Sequence, residues 1–103
     1  MPACKKRKPS IPKDVLEPTE MARVMIDVYN TEAKIQELRI HKDSAKQLYQ
    51  VAEPYILKQN DTDSIQFQKS IEFYLEYSHE FEDILDIVID SLSLREQIMK
   101  KKN

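Results

Sequence analysis

A chain of 103 residues without a single glycine has few folds open to it. Two-residue hairpins, phosphate-cradling loops and tight strand corners rely on glycine, which takes positive φ at no steric cost. A β-rich architecture or a glycine-rich nucleotide loop is therefore a poor fit. Ala, Leu, Ile, Glu, Lys, Gln and Asp dominate instead, and most of these suit helices. Hydrophobic residues at 41% and charged residues at 33% fit a folded body rather than a disordered chain. The expectation is an all-α, four-helix small domain over residues 17–100, preceded by a flexible basic leader over residues 1–16.

Charge sharpens that division. Residues 1–13 carry Lys5, Lys6, Arg7, Lys8 and Lys13 with no acid, and Pro2, Pro9 and Pro12 oppose regular structure there. Residues 14–99 hold eight basic against eighteen acidic side chains, a net of −10. A body of that sign repels a phosphate backbone, which leaves only the two short tails able to bind one, so no nucleic-acid partner is expected. A single cysteine, Cys4, excludes an internal disulfide and a Cys-based zinc site. The longest apolar runs, such as Val24–Ile26 and Ile87–Ile89, are three residues, far short of a membrane span.

Four helical segments are readable. The first runs from Pro18 to about Ile40, with Met21, Val24, Met25, Val28, Ile35 and Leu38 on one face. The second starts near Asp43-Ser44, where Ser44 and Gln47 have capping-box spacing, and it carries Ala45, Leu48, Tyr49, Ala52 and Ile56 inward. Pro54 projects away from that face and is tolerable there. The third starts around Asp63 and turns Phe67, Ile71, Tyr74 and Leu75 inward; the fourth follows Ser78 as N-cap and reaches about Met99. Helix four carries Phe81, Leu85, Val88, Leu92 and Met99 as a central stripe. With its flanking isoleucines the apolar arc spans roughly 220°, more than one packed face requires. Part of it is either covered by a second neighbour or left for another protein. The pairing expected is helix one along helix four.

Polar constellations are few. Glu32 projects near the middle of helix one's apolar face, where a carboxylate must be paired, protonated or hydrogen-bonded. Tyr74, Ser70 and Arg39 are its candidate partners, and Asp27, Glu32, Ser70 and Tyr74 together make the one structural or partner-binding polar site to examine. Glu72, Glu76, Glu80, Glu82, Asp83, Asp86 and Asp90 form an acidic run with no Lys or Arg from 70 to 94. Asp83, Asp86 and Asp90 share a face. They read as a solvated surface or as a docking face for a basic partner, with Phe73 and Tyr77 as an adjoining contact patch or as helix-packing residues. Asp61, Asp63 and Glu72 match three positions of a calcium loop, but Ile65 and Gln66 stand where an oxygen ligand and a glycine are needed, so no metal is expected. No nucleophile–base pairing suggests itself, and neither a cofactor nor a small-molecule substrate is expected. An acid–base enzyme using Glu32 and Asp27 is the weakest of the functional readings.

The leader Cys4-Lys5-Lys6-Arg7-Lys8-Pro9-Ser10 fits two contexts. In a eukaryotic chain the basic cluster is similar to a nuclear import signal, which would make the protein a soluble adaptor with a basic nucleic-acid-binding or import tail. In a bacterial chain Ala3-Cys4 looks like the end of a lipobox, with Cys4 the acylated residue.

From Ile11 to Gln97 the chain resembles a family of small lipoproteins of Bacteroidota that carry a domain of unknown function. The likeness rests on Ile11-Pro12-Lys13-Asp14-Val15-Leu16, on Pro18 with Met21, on Asp27-Val28-Tyr29-Asn30-Thr31-Glu32-Ala33, on Asp43-Ser44, and on Phe67 with Ser70-Ile71-Glu72-Phe73-Tyr74. Two departures bear on helix boundaries: Glu17 where a Ser-like cap is usual, and Ser78-His79-Glu80 in place of a Pro-containing turn. The resemblance implies lipid attachment at Cys4, an envelope location and no defined activity. The expectation is then a non-catalytic lipid-anchored module that touches an envelope protein, as an accessory subunit of an outer-membrane assembly. The basic residues after Cys4 point to the periplasmic face, with residues 5–16 a disordered tether.

Overall fold

The computed structural model describes residues 10–102, with side chains through Leu94; Cys4 and the cluster Lys5–Lys8 lie outside the described residues. It contains four helices, α1 (Pro18–Glu37), α2 (Lys42–Gln59), α3 (Ser64–Glu76) and α4 (Ser78–Lys102), and no strand among the described residues. The all-α expectation is correct. The least dimension is 22 Å, about two helix diameters, so the helices lie in two layers. α1 makes its most extensive contact with α4 and then with α2; α3 packs on α4 and, over a shorter stretch, on α2.

Local chemistry explains the boundaries. α1 begins on Glu17, whose backbone N–H donates to Glu20 Oε1 at 2.9 Å, with Pro18 in the first turn. Glu17 therefore serves as the cap despite its unusual identity. α1 stops at Glu37, three residues before the expected Ile40, because Arg39 turns left-handed at φ 54°. α2 is capped by His41, whose Nδ1 accepts from the Asp43 N–H at 3.2 Å. The expected Ser44 cap is overturned, since Ser44 already lies inside the helix. Pro54 is inside α2 and exposed, as its projection implied. Asp63 caps α3 by accepting from the Gln66 N–H at 2.8 Å. Ser78 is the first residue of α4 rather than its cap, with Tyr77 accepting the first helical bond from Phe81.

The core comprises Val15, Leu16, Met21, Ala22, Val24, Leu57, Tyr74, Ile84 and Val88, with Met25, Val28, Phe67, Phe73, Phe81 and Leu92 packed around it. Each fully buried aliphatic side chain contributes about 1.5–3 kcal/mol relative to exposure. The stripe of α4 is centred on Ile84 and Val88; Leu85 is half-buried, while Ile87, Ile89 and Leu94 face outward. The wide arc is thus not covered by α4's own neighbours. Leu75, expected inward, is exposed as well.

Two of the core residues, Val15 and Leu16, belong to the segment expected to be a flexible tether. They are 7% and 3% exposed, and Ile11 packs beside them. A turn closed by Val15 N–H to Pro12 C=O at 3.1 Å brings the segment onto the body. Residues 11–16 are therefore part of the fold and not of a tether.

Candidate functional site

Among the described residues the buried polar cluster is the backbone of one residue, Leu16, and two side chains. Ser70 is the only buried polar residue among those described, and Tyr74 is fully buried beside it. They sit four residues apart, one turn of α3, so both point the same way. Ser70 Oγ accepts from the Leu16 N–H at 2.8 Å and donates to the Gln66 carbonyl at 2.7 Å; Tyr74 Oη donates to the Leu16 carbonyl at 2.7 Å. Both backbone groups of Leu16 are thus satisfied by side chains of a helix more than fifty residues away. On the surface beside this clamp, Lys69 Nζ meets Asp14 Oδ2 at 2.8 Å, and that bond holds the Asp14 carboxyl below the usual carboxylate range. Burial pushes the Tyr74 phenol up to about 12, with Glu17, Glu80 and Glu20 adding to the shift.

Of the four residues grouped as a polar site, Ser70 and Tyr74 meet in this clamp, and Asp27 and Glu32 do not join them. Asp27 is half-buried and accepts from Asn60 Nδ2 at 3.0 Å, tying α1 to the end of α2. Glu32 is exposed, which overturns its expected burial. After Val28, Ile35 is the only buried residue of α1, so the carboxylate near the middle of the projected stripe reaches solvent. It lies close enough to Tyr49 to help raise that phenol, pushed up to about 12 chiefly by burial and then by Glu53, whose Oε2 accepts the Tyr49 hydroxyl at 3.3 Å. The signal missed in the sequence was at the start of α1. Leu16 and Met21 hold the two positions of a hydrophobic staple around the Glu17 cap, and both are buried.

The surface residues divide between packing and exposure. Phe73 is half-buried, meets Tyr74 edge-on at 5.1 Å and Tyr77 at 4.7 Å, and so belongs to packing; Tyr77 is exposed. Asp83, Asp86 and Asp90 are all exposed along α4. The apolar surface adjoining them is Ile87 and Leu94 rather than Phe73, since Asp83, Ile87, Asp90 and Leu94 fall within roughly 60° of one another around the helix. Acid and apolar side chains alternate along that strip. Among the described residues no group of three His, Cys, Asp or Glu side chains is placed to hold a metal ion, and no helix is long and apolar enough to cross a membrane.

Residues 12–98 match the model of a family described as Domain of unknown function (DUF4296). No curated protein and no solved structure matches the chain.

Proposed function

The chain belongs to the DUF4296 family, and we propose that it is a non-catalytic module, lipid-anchored at Cys4 in a bacterial envelope, that works by docking a basic partner protein on α4. The observation that carries the docking half is the strip Asp83–Ile87–Asp90–Leu94, exposed apolar side chains interleaved with carboxylates, in a stretch without Lys or Arg from 70 to 94. Such a strip suits an amphipathic segment with basic side chains, since the charges steer the encounter and the apolar contacts hold it. A non-catalytic role is supported by the fate of the interior polar groups. Ser70 and Tyr74 are committed to the Leu16 backbone, and the two carboxylates that an acid–base enzyme would use are bonded to Asn60 or exposed.

The anchoring half rests on the lipobox-like Ala3-Cys4 and on the lipoprotein likeness described above. Four basic residues beside an acylated cysteine would add about 1 kcal/mol each near an anionic surface, supplementing an acyl chain that alone anchors reversibly. An accessory subunit of an outer-membrane assembly, facing the periplasm, is the role that these features suit. The test is affinity purification of the native protein from its own detergent-solubilised membranes, with the Asp83→Lys/Asp90→Lys variant alongside. A partner retained by the native chain and released by charge reversal supports the reading; a partner retained equally by both variants refutes the α4 site. Cys4→Ser behind the native signal sequence should leave the membrane fraction, and persistence there in high salt refutes the anchor.

A further inference from the structure

Residues 11–16 cross the molecule as a strap that is gripped mainly at its inner end. Val15 and Leu16 are buried, whereas Pro12, Lys13 and Asp14 between them and the half-buried Ile11 face solvent. The outer part is held by the packing of Ile11, the Val15–Pro12 turn and the exposed Lys69–Asp14 pair. Neither side of the grip needs the other to keep its shape. Ser70 Oγ has a second bond, to the Gln66 carbonyl one turn back in α3, that does not involve Leu16. The capping box of Glu17 and Glu20 closes the start of α1 within residues 17–20, downstream of the strap. The most extensive helix contacts, α1 with α4 and α1 with α2, lie outside it as well.

We propose that residues 11–16 are a two-state strap that opens as a unit while α1, α2 and α4 stay packed, and that its state sets how far the body stands from Cys4. A segment with few buried contacts opens at a lower free energy than the whole molecule unfolds. With the strap docked, the body begins at Ile11, 11 − 4 = 7 residues from Cys4, a span of at most ~25 Å. With it released, the body begins at Glu17, 17 − 4 = 13 residues away, a span of at most ~45 Å. The consequence at a membrane rests on the anchor proposed above. There an anionic surface attracts Lys5, Lys6, Arg7 and Lys8 and repels a body of net −10, so the two pull the strap from opposite ends. Release lets the α4 strip stand up to ~20 Å further from the bilayer.

The experiment is native-state hydrogen exchange of the full chain carrying Cys4→Ser, read at the amides of Leu16, Ile84 and Val88. The Leu16 N–H is bonded to Ser70 Oγ and exchanges only when the clamp opens. Its protection should be at least ~10-fold lower than that of Ile84 and Val88, and nearly flat in low urea, because a local opening exposes little surface. Protection at Ile84 and Val88, in the core of α4, should fall with urea as global unfolding does. Ile35→Ala removes a buried side chain that lies outside the core cluster around the strap. It should lower protection at Ile84 and Val88 at least ~10-fold and leave Leu16 unchanged. Leu16 protection that matches Ile84 and Val88 in size and urea slope overturns the inference, and so does a fall shared by all three in Ile35→Ala. Should that variant not fold, the urea slopes of the parent decide alone. Neither lipid nor partner is present in this measurement, so the strap and the anchor can each fail without the other.

Discussion

Ser70 and Tyr74 both bond the backbone of one residue, Leu16, and that arrangement makes each of them costly to remove. Ser70→Ala leaves the buried Leu16 N–H without an acceptor, and Tyr74→Phe leaves the Leu16 carbonyl without a donor. Each should destabilise by about 1–3 kcal/mol in urea unfolding. The double substitution should cost less than the sum, because both bonds hold the backbone of one residue and losing either loosens the other. Glu32→Ala, by contrast, should stay within about 0.5 kcal/mol of the parent, as an exposed side chain does. Tyr74 also sets an alkaline limit. Its folded-state pKa is raised from 10.0 to about 12, so its contribution to stability is complete below pH 10 and is lost as pH rises toward 12. An absorbance titration should show Tyr49 and Tyr74 ionising late, toward pH 12, and Tyr74→Phe should remove part of the alkaline instability. Of these roles, burial of Tyr74 was readable from helical spacing. The clamp was not, because periodicity places a side chain on a face and says nothing about a backbone segment fifty residues away in sequence.

At the scale of the helices, a chain without glycine must end them with side chains that dislike the task. Helices commonly stop on a left-handed residue that satisfies the last carbonyls, and glycine takes that conformation without penalty. Here Arg39 after α1 and Asp61 after α2 take it, at φ 54° and 57°. A non-glycine residue there costs roughly 1–2 kcal/mol, and aspartate bears it better than most because its short polar side chain bonds locally. Arg39→Gly should therefore raise stability by about 0.5–1 kcal/mol, once glycine's greater unfolded-state entropy offsets part of the gain. Asp61→Gly should gain less, and thermal unfolding of the two variants side by side checks the order. The helices themselves were legible. Pro18, Asp63 and the apolar spacing located α1, α3 and α4 within a few residues. The errors fell where two residues of similar chemistry competed for one role: His41 rather than Ser44 capped α2, and the left-handed Arg39 cut α1 short. Glu32 was misplaced for a related reason. A projection treats a helix as facing one core along its whole length, whereas the second half of α1 buries only Ile35.

In the whole molecule the segment from Ile11 to Leu16 joins parts that otherwise scarcely meet. α1 and α3 do not pack closely along their axes, and each leans on α2 and α4 instead. What ties α3 to the start of α1 is the Leu16 backbone, bonded to Ser70 and Tyr74, together with the side chains of Val15 and Leu16 in the core. Three prolines and a run of basic residues made the neighbourhood read as a tether, and the apolar pair just before Glu17-Pro18 was the counter-signal. The consequence can be tested by comparing a chain that starts at Ile11 with one that starts at Glu17. The shorter chain forfeits two buried aliphatic side chains, at about 1.5–3 kcal/mol each, and leaves Ser70 Oγ and Tyr74 Oη without their Leu16 partners. A domain of this size holds about 5–15 kcal/mol in total, so a loss of that order takes most of its stability. The loss should not fall evenly. α3 depends on the segment most directly, so its amides should lose hydrogen-exchange protection first, while the α1–α4 pair keeps protection longer. If the two chains unfold at the same urea concentration with equal protection in α3, the segment is a passenger on the fold and not its joint.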